Sequence, residues 1–167
     1  MNKNYSANRQ FADEYTDQLK TILGDHLSDI VKIEVAPDTL DQEEATDMVI
    51  QLKSGMVACR VRRDNIKFRD WTIRTRSFYG KKTEIDKLRE GYGDWYLYGW
   101  AKDGKISRWM LIDLLKVRIS GLLDKSRIEI PNTDGGRTKF IAISVPELIE
   151  ADCLIAQQFD PRFVEVK

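Results

Sequence analysis

Residues 46–63 read TDMVIQL-KSG-MVACRVRR, and this stretch decides the fold. Two segments rich in valine, isoleucine and other strand-forming residues flank residues 53–55, a Lys-Ser-Gly sequence typical of a tight turn. Strands joined by so short a turn pair in the antiparallel direction. The sequence therefore predicts a β-hairpin whose strands cover residues 46–52 and 56–63.

The second strand of this hairpin has two chemically different faces, because successive side chains of a strand point to opposite sides. One face carries small apolar residues and the other carries arginines (Val57, Cys59 and Val61 against Ala58, Arg60 and Arg62). The pattern predicts that the apolar face packs in a core.

A second pair of arginines follows on residues 71–77, which read WTIRTRS and predict another strand. Arg74 and Arg76 share one of its faces. Rows of arginine on neighbouring strands repel each other unless an acid or an anion lies between them. Two partners stay open at this point: the acids Glu14 and Asp17 of the first helix, or the phosphates of a nucleic acid.

The charge of the chain is balanced overall but uneven along its length. Residues 1–52 carry 4 Lys/Arg and 11 Asp/Glu, residues 53–82 carry 10 and 2, and residues 83–167 carry 13 and 14. A basic block of this kind attracts nucleic acid over long distances, although it is also compatible with a solvated face that is balanced within the fold. The alternation of charged and apolar residues favours the nucleic-acid interpretation.

Several classes of protein are disfavoured by the composition. No apolar run is long enough for a membrane span, and the polar N-terminus lacks a secretion signal. Cys59 and Cys153 lie far apart and predict buried free thiols in a reducing compartment. The lone histidine, His26, is expected at a helix end. We expect a cytoplasmic protein with a single domain over residues 1–167 and no membrane partner.

The remaining periodicities predict an α/β (α+β) protein with a mixed central sheet and flanking helices. Thr83 is the expected N-cap of the second helix. The predicted helices are 8–27, 83–90, 114–123 and a short one from Pro146, and the further strands are 30–35, 94–101, 106–113 and 139–145.

The order helix, three strands, extra strand, helix, strand resembles the α-β-β-β-α-β core of the PD-(D/E)xK nucleases over roughly residues 8–101. The resemblance implies an aspartate on the first hairpin strand and a carboxylate-x-lysine on the second, which hold Mg²⁺ and the scissile phosphate. Asp47 stands at the first position. Residues 59–62 read CRVR, so Arg60 replaces the carboxylate, and an arginine cannot bind a metal.

A nuclease of this kind would need a rearranged site. Our ranking places Asp47 and Glu84 on Mg²⁺, with Lys87 one helical turn from Glu84 and directed at the phosphate. Glu14, Glu43, Glu44 and Asp70 are further candidates for the missing carboxylate. The structural alternative is that Glu84 is favoured at the start of a helix whatever the function, and that Glu84 and Lys87 form an ordinary surface pair.

These observations give two hypotheses of different class. The first is a nucleic-acid-binding protein, with DNA favoured over RNA, that is a Mg²⁺-dependent phosphodiesterase. The second is a non-catalytic module whose arginines Arg60, Arg62, Arg74 and Arg76 bind nucleic acid or an acidic protein. A protein partner or a homo-oligomer stays open as well. The segments FRDWTIRTRS and GDWYLYG also resemble uncharacterised proteins of bacterial and phage genomes, which carry no established activity. The aromatic tract 91–100 is expected in the core, with base stacking as the alternative.

Overall fold

The computed structural model of the protein describes residues 14–27, 30–35, 48–52, 55–64, 69–76, 82–132 and 137–158. Within these residues the chain forms helices and strands in an order close to the predicted one. The elements are α1 (Thr16–His26), β1 (Ile30–Val35), β2 (Met48–Leu52), β3 (Met56–Arg63), β4 (Trp71–Arg76), α2 (Glu84–Arg89), β5 (Trp95–Lys102), β6 (Lys105–Asp113), α3 (Leu114–Ile119), β7 (Ile130–Pro131), β8 (Lys139–Ile143), α4 (Val145–Glu150) and β9 (Leu154–Gln158).

The strands form two sheets. The larger has the order β1-β2-β3-β5-β6-β9, and the smaller has the order β4-β8-β7. The predicted hairpin is confirmed, since β2 and β3 pair in the antiparallel direction with Ile50 opposite Val57. β3 and β5 run parallel, with Val57 opposite Trp95, and the connection between them carries β4 and α2. The general α/β (α+β) class is therefore confirmed.

The two faces of the larger sheet pack in two separate cores, of which the alternation in β3 predicts only the one on its apolar face. On one face the apolar residues of β3 are covered by Leu19 and Leu23 of α1 and by Tyr15, which precedes the helix. The other face meets the smaller sheet and the helices α2, α3 and α4, with Trp71 and Ile73 of β4 fully buried there. The arginine face of β3 thus lies toward the second core and not toward bulk solvent.

The aromatic residues of β5 lie in that second core. Tyr96, Tyr98 and Trp100 are each no more than 2% exposed, and the rings of Tyr98 and Trp100 meet edge to face at a centroid distance of 4.9 Å. Such edge-on contacts are favourable for aromatic pairs. The core assignment of the tract is confirmed for these rings, because rings so deeply buried offer no face to a nucleobase.

The structure differs from the sequence prediction mainly at element ends. α1 begins at Thr16, with residues 14 and 15 in a turn, while residues 8–13 lie outside the described part of the chain. α3 ends at Ile119, where Ser120 and Gly121 turn the chain, with a φ of 70° at Gly121. The strands β7 and β9 were not predicted.

Two smaller predictions, on the cysteines and on His26, are confirmed. Cys59 and Cys153 are buried free thiols. His26 is the last residue of α1, and its ring lies 5.1 Å from that of Trp109. None of the helices in the described ranges has the length and hydropathy of a membrane-spanning segment.

Candidate functional site

The centre of the site is a buried ion pair between Arg60 on β3 and Glu84 at the start of α2. Arg60 Nη1 donates to Glu84 Oε2 over 2.9 Å, and the two side chains are only 7% and 4% exposed. A buried charge is tolerated only when it is paired and hydrogen-bonded. The ion pair therefore links the start of α2 to the middle of β3.

Two further donors complete the shell of Glu84. The backbone N–H of Arg74 donates to Oε2 over 3.0 Å, and the hydroxyl of Tyr96 donates to Oε1 over 2.7 Å. Burial, and then the negative charge of Glu84, hold the pKa of Tyr96 well above its usual range, so the phenol remains a donor. Both carboxylate oxygens are thus occupied by donors from β3, β4 and β5.

Arg62 lies two residues further along the same face of β3 and has different partners. Its Nε donates to the hydroxyl of Tyr98 over 3.2 Å, and its Nη2 donates to Thr72 Oγ1 over 3.3 Å. The two hydroxyls are themselves 2.7 Å apart. These neutral groups orient the guanidinium without cancelling its charge, and they leave Nη1 without a hydrogen bond to the described residues.

Arg74 completes the group from the edge strand β4. Its side chain is half-buried, and within the described ranges the guanidinium forms neither a hydrogen bond nor an ion pair. Burial lowers the pKa of Arg74, the positive charge of Arg60 lowers it further, and Glu84 opposes this effect. Arg62 adds to the lowering, so the three guanidinium groups are close enough for their charges to interact.

The four arginines predicted to bind nucleic acid are therefore divided by the fold. Arg60 is buried and paired inside the protein, Arg62 and Arg74 are half-buried beside it, and Arg76 is exposed near the end of β4. We call Arg62 and Arg74 the open arginine pair. Each nitrogen of these two guanidinium groups either has a hydrogen-bond partner or is accessible to solvent. A ligand can therefore reach both groups from outside.

The alternative that Glu14 and Asp17 neutralise the arginines is wrong. Both residues belong to the segment that begins α1, which packs against the opposite face of β3. Glu14 is exposed, and Asp17 pairs with Lys20 on its own helix at 3.5 Å. The carboxylate that pairs with Arg60 is Glu84, which the sequence analysis interpreted as a metal ligand or as the surface partner of Lys87.

Only some residues of the predicted magnesium site belong to the described part of the chain. Asp47, Glu43 and Glu44 lie outside the described residues. Glu84 as placed here does not fit a magnesium ion, because both of its oxygens already accept hydrogen bonds and a guanidinium stands beside it. Lys87 is half-buried one turn further along α2. In the described ranges no group of three or more His, Cys, Asp or Glu side chains could hold a metal.

Two other charged contacts near the ends of β3 and β4 were missed by the sequence analysis. Asp64, just after β3, accepts hydrogen bonds from Arg108 and from the hydroxyl of Ser107, and Arg108 lies over the ring of Trp100. The contact of Arg108 with Trp100 could have been predicted, since the two residues stand opposite each other in the β5–β6 hairpin. The aspartate itself comes from a different strand, which no local pattern indicates.

The other contact joins Arg127 to α4. Arg127 forms two hydrogen bonds with Glu147, the shorter of 2.7 Å. These bonds, with those from Ser144 at the helix start, lower the pKa of Glu147 to about 2. Burial and the charge of Glu147 raise the pKa of the nearby Asp70. Asp70 thus lies beside a structural ion pair and not beside the arginines of β3.

Comparisons of the chain with protein-family models, with curated proteins and with solved structures gave no match. The site must therefore be interpreted from its own chemistry.

Proposed function

We propose that this protein binds nucleic acid through the open arginine pair together with Arg76. The observation that carries the proposal is the charge of the pair: neither guanidinium has a carboxylate partner within the described ranges, while the one buried acid beside them is already occupied. Arginine is suited to phosphate because its planar fork donates two parallel hydrogen bonds to two oxygens.

The surroundings of the pair support a binding role. The two arginines lie in the segment 53–82, which carries the excess of positive charge, and a field of this sign raises the local concentration of a polyanion. The helices and strands fit the general α/β class that the sequence predicts. Because Glu84 is engaged with Arg60, the proposal assigns it a structural role and assigns backbone binding to the arginines.

A salt titration of nucleic-acid binding tests this proposal. Each phosphate neutralised by a cation contributes roughly −0.9 to the slope of log K against log salt in duplex DNA. The variant with Arg74→Gln and Arg76→Gln should bind a short duplex more weakly at every sequence and should flatten the slope by about two. Its thermal stability should change little, because neither side chain forms an ion pair in the described structure.

A matched control removes two positive charges elsewhere. Lys102 and Lys105 flank the exposed turn of the β5–β6 hairpin, so Lys102→Gln with Lys105→Gln changes net charge equally. This control should keep the slope of the parent protein. If the arginine variant melts lower and binds as before, the arginines are structural and the proposal is wrong. Binding of an acidic protein in place of DNA would support the alternative of a protein-binding module.

A further inference from the structure

We propose that the open arginine pair recognises a terminal phosphate, a phosphate monoester at the end of a nucleic-acid strand, in preference to the diesters inside the strand. The inference rests on the proposed function and specifies which part of a nucleic acid enters the site. It is carried by the charge, the shape and the surroundings of Arg62 and Arg74.

Charge is the first argument. Arg60 and Glu84 neutralise each other, which leaves the charges of Arg62 and Arg74 to be met by a ligand. A phosphate monoester carries about −1.5 to −2 at pH 7, whereas a backbone diester carries a single negative charge. Two adjacent guanidinium groups match the dianion, while a single diester would leave one half-buried cation uncompensated.

The hydrogen-bonding geometry is the second argument. Tyr98 and Thr72 hold Nε and Nη2 of Arg62, so its orientation is fixed before a ligand arrives and Nη1 remains available. The nitrogens of the Arg74 guanidinium are uncommitted to the described residues. A terminal phosphate presents three oxygens to such donors, whereas a diester presents only two. The site therefore offers more donors than one diester can use.

The surroundings are the third argument. Both arginines are half-buried, and they lie beside two buried residues, Tyr98, which accepts from Arg62, and Arg60, whose charge acts on Arg74. A continuous backbone needs a line of exposed cations, but Arg76 is the next exposed one on β4, and Lys139 opposite it already pairs with Glu129 at 3.0 Å. Two half-buried cations beside a single exposed one suit the end of a nucleic-acid strand better than a continuous backbone.

Oligonucleotides that differ only at their ends test the inference. One single-stranded sequence should be titrated with a 5′-phosphate, with a 3′-phosphate and with hydroxyls at both ends. We expect one phosphorylated form to bind at least tenfold more tightly than the hydroxyl form. The preference should decrease between pH 7.5 and 5.5, because the second pKa of a monoester is near 6. A nucleoside monophosphate should compete with the phosphorylated oligonucleotide for the site. If the monophosphate bound and the oligonucleotides did not, the ligand would be a free phosphorylated molecule and not a strand end.

Substitutions assign the preference to the pair. Arg74→Gln should remove the difference between phosphorylated and hydroxyl ends, and Arg74→Lys should restore part of it, since lysine keeps the charge but loses the fork. Arg76→Gln should weaken both oligonucleotides equally and preserve their ratio. Thermal melts check that each variant is folded, and Arg62→Gln replaces Arg74→Gln if the latter is not.

The outcomes separate the two proposals. Equal affinity for all three oligonucleotides, with binding that depends on Arg74, would overturn the terminal-phosphate inference and leave nucleic-acid binding in place. Binding of the nucleoside monophosphate alone, lost in Arg74→Gln, would support a monoester site and overturn nucleic acid as the ligand. No binding of any of these probes would overturn both proposals.

Discussion

Arg60 and Arg62 lie two residues apart on the same face of β3, yet they have opposite circumstances. Arg60 is sealed from solvent and paired with Glu84, whereas Arg62 is oriented by two neutral hydroxyls and keeps its charge. The difference shows that the role of an arginine on a strand is decided by where the nearest buried carboxylate lies. Arg60 is part of the core, and Arg62 has no carboxylate partner among the described residues.

The largest effect is expected when a charge is placed on the face of β3 opposite to Arg60 and Arg62. The comparison of these two arginines requires that the apolar face of β3 is the one buried under α1. Val61 is 6% exposed and packs with the core that α1 covers. Val61→Asp buries an unpaired carboxylate there and should abolish folding, with a loss above about 4 kcal/mol. Circular dichroism and a thermal melt measure it. An unchanged melt would mean that the faces are reversed.

The second-largest effect concerns Arg60, the buried arginine that is paired with Glu84. Glu84→Ala leaves Arg60 buried without its carboxylate and should reduce the free energy of unfolding by about 3–5 kcal/mol. Replacing both residues, with Arg60→Leu and Glu84→Leu, should recover only part of that loss. Apolar groups can substitute for the buried pair, but the Arg74 N–H and the Tyr96 hydroxyl still lose their acceptor. Denaturant unfolding compares the three proteins. A single variant as stable as the parent protein would show that the pair does not form in solution.

A third prediction concerns pH and uses another ion pair, Arg127 with Glu147, which is partly exposed. The pKa of Glu147 is lowered to about 2 from an ordinary value of 4.5, mainly by Arg127. A lowered carboxyl pKa stabilises the fold above the unfolded value and loses this contribution as the pH falls from about 4.5 toward 2. Glu147→Gln should therefore cost up to about 3 kcal/mol at neutral pH.

The pH dependence separates this effect from a simple packing change. The difference between Glu147→Gln and the parent protein should shrink below pH 4.5 and nearly disappear close to pH 2. Glu150→Gln, an exposed position of the same helix, is the control and should have little effect at any pH. A difference that is constant from pH 7 to pH 2 would contradict the assigned ion pair.

The smallest expected effect is on binding when divalent cations are removed. If the open arginine pair holds the phosphate, EDTA should leave the affinity for nucleic acid unchanged within about twofold. Asp47→Asn should also bind normally, and any Mg²⁺-dependent cleavage should be lost in this variant. Affinity that disappears in EDTA would show that a metal ion, and not the arginines, provides the main contact.

Elements that depend on local sequence patterns could be predicted, whereas elements that depend on contacts between residues distant in the chain could not. Alternation and turn chemistry predicted β3 at residues 56–63, which are its observed bounds, and the faces followed from the same period. The short strand β9 has the sequence LIAQQ, too brief and too polar for its period to stand out, and it is a strand because it pairs with β6.

The site depended on contacts that local patterns do not contain. Glu84 is an acid at the start of a short helix, and its position there suggested a metal ligand or a surface pair. Its partner Arg60 comes from 24 residues earlier, and the parallel pairing of β3 with β5 is what brings them together. The arginines themselves could be identified from their spacing, but their division into closed and open members required the fold.

The parallel arrangement of β3 and β5 has a consequence for how the protein folds. Strands β5 and β6 are joined by a short turn and can zip together locally, whereas Met56 meets Asp94 from 38 residues away and Arg62 meets Tyr98 from 36. Contacts between residues so distant in the chain carry a large loop-closure cost, and high contact order slows folding. We therefore expect the β5–β6 hairpin to form early and the contact of Arg62 with Tyr98 to form in the last, rate-limiting step. A chain stalled before this step would be compact but would lack an ordered open arginine pair.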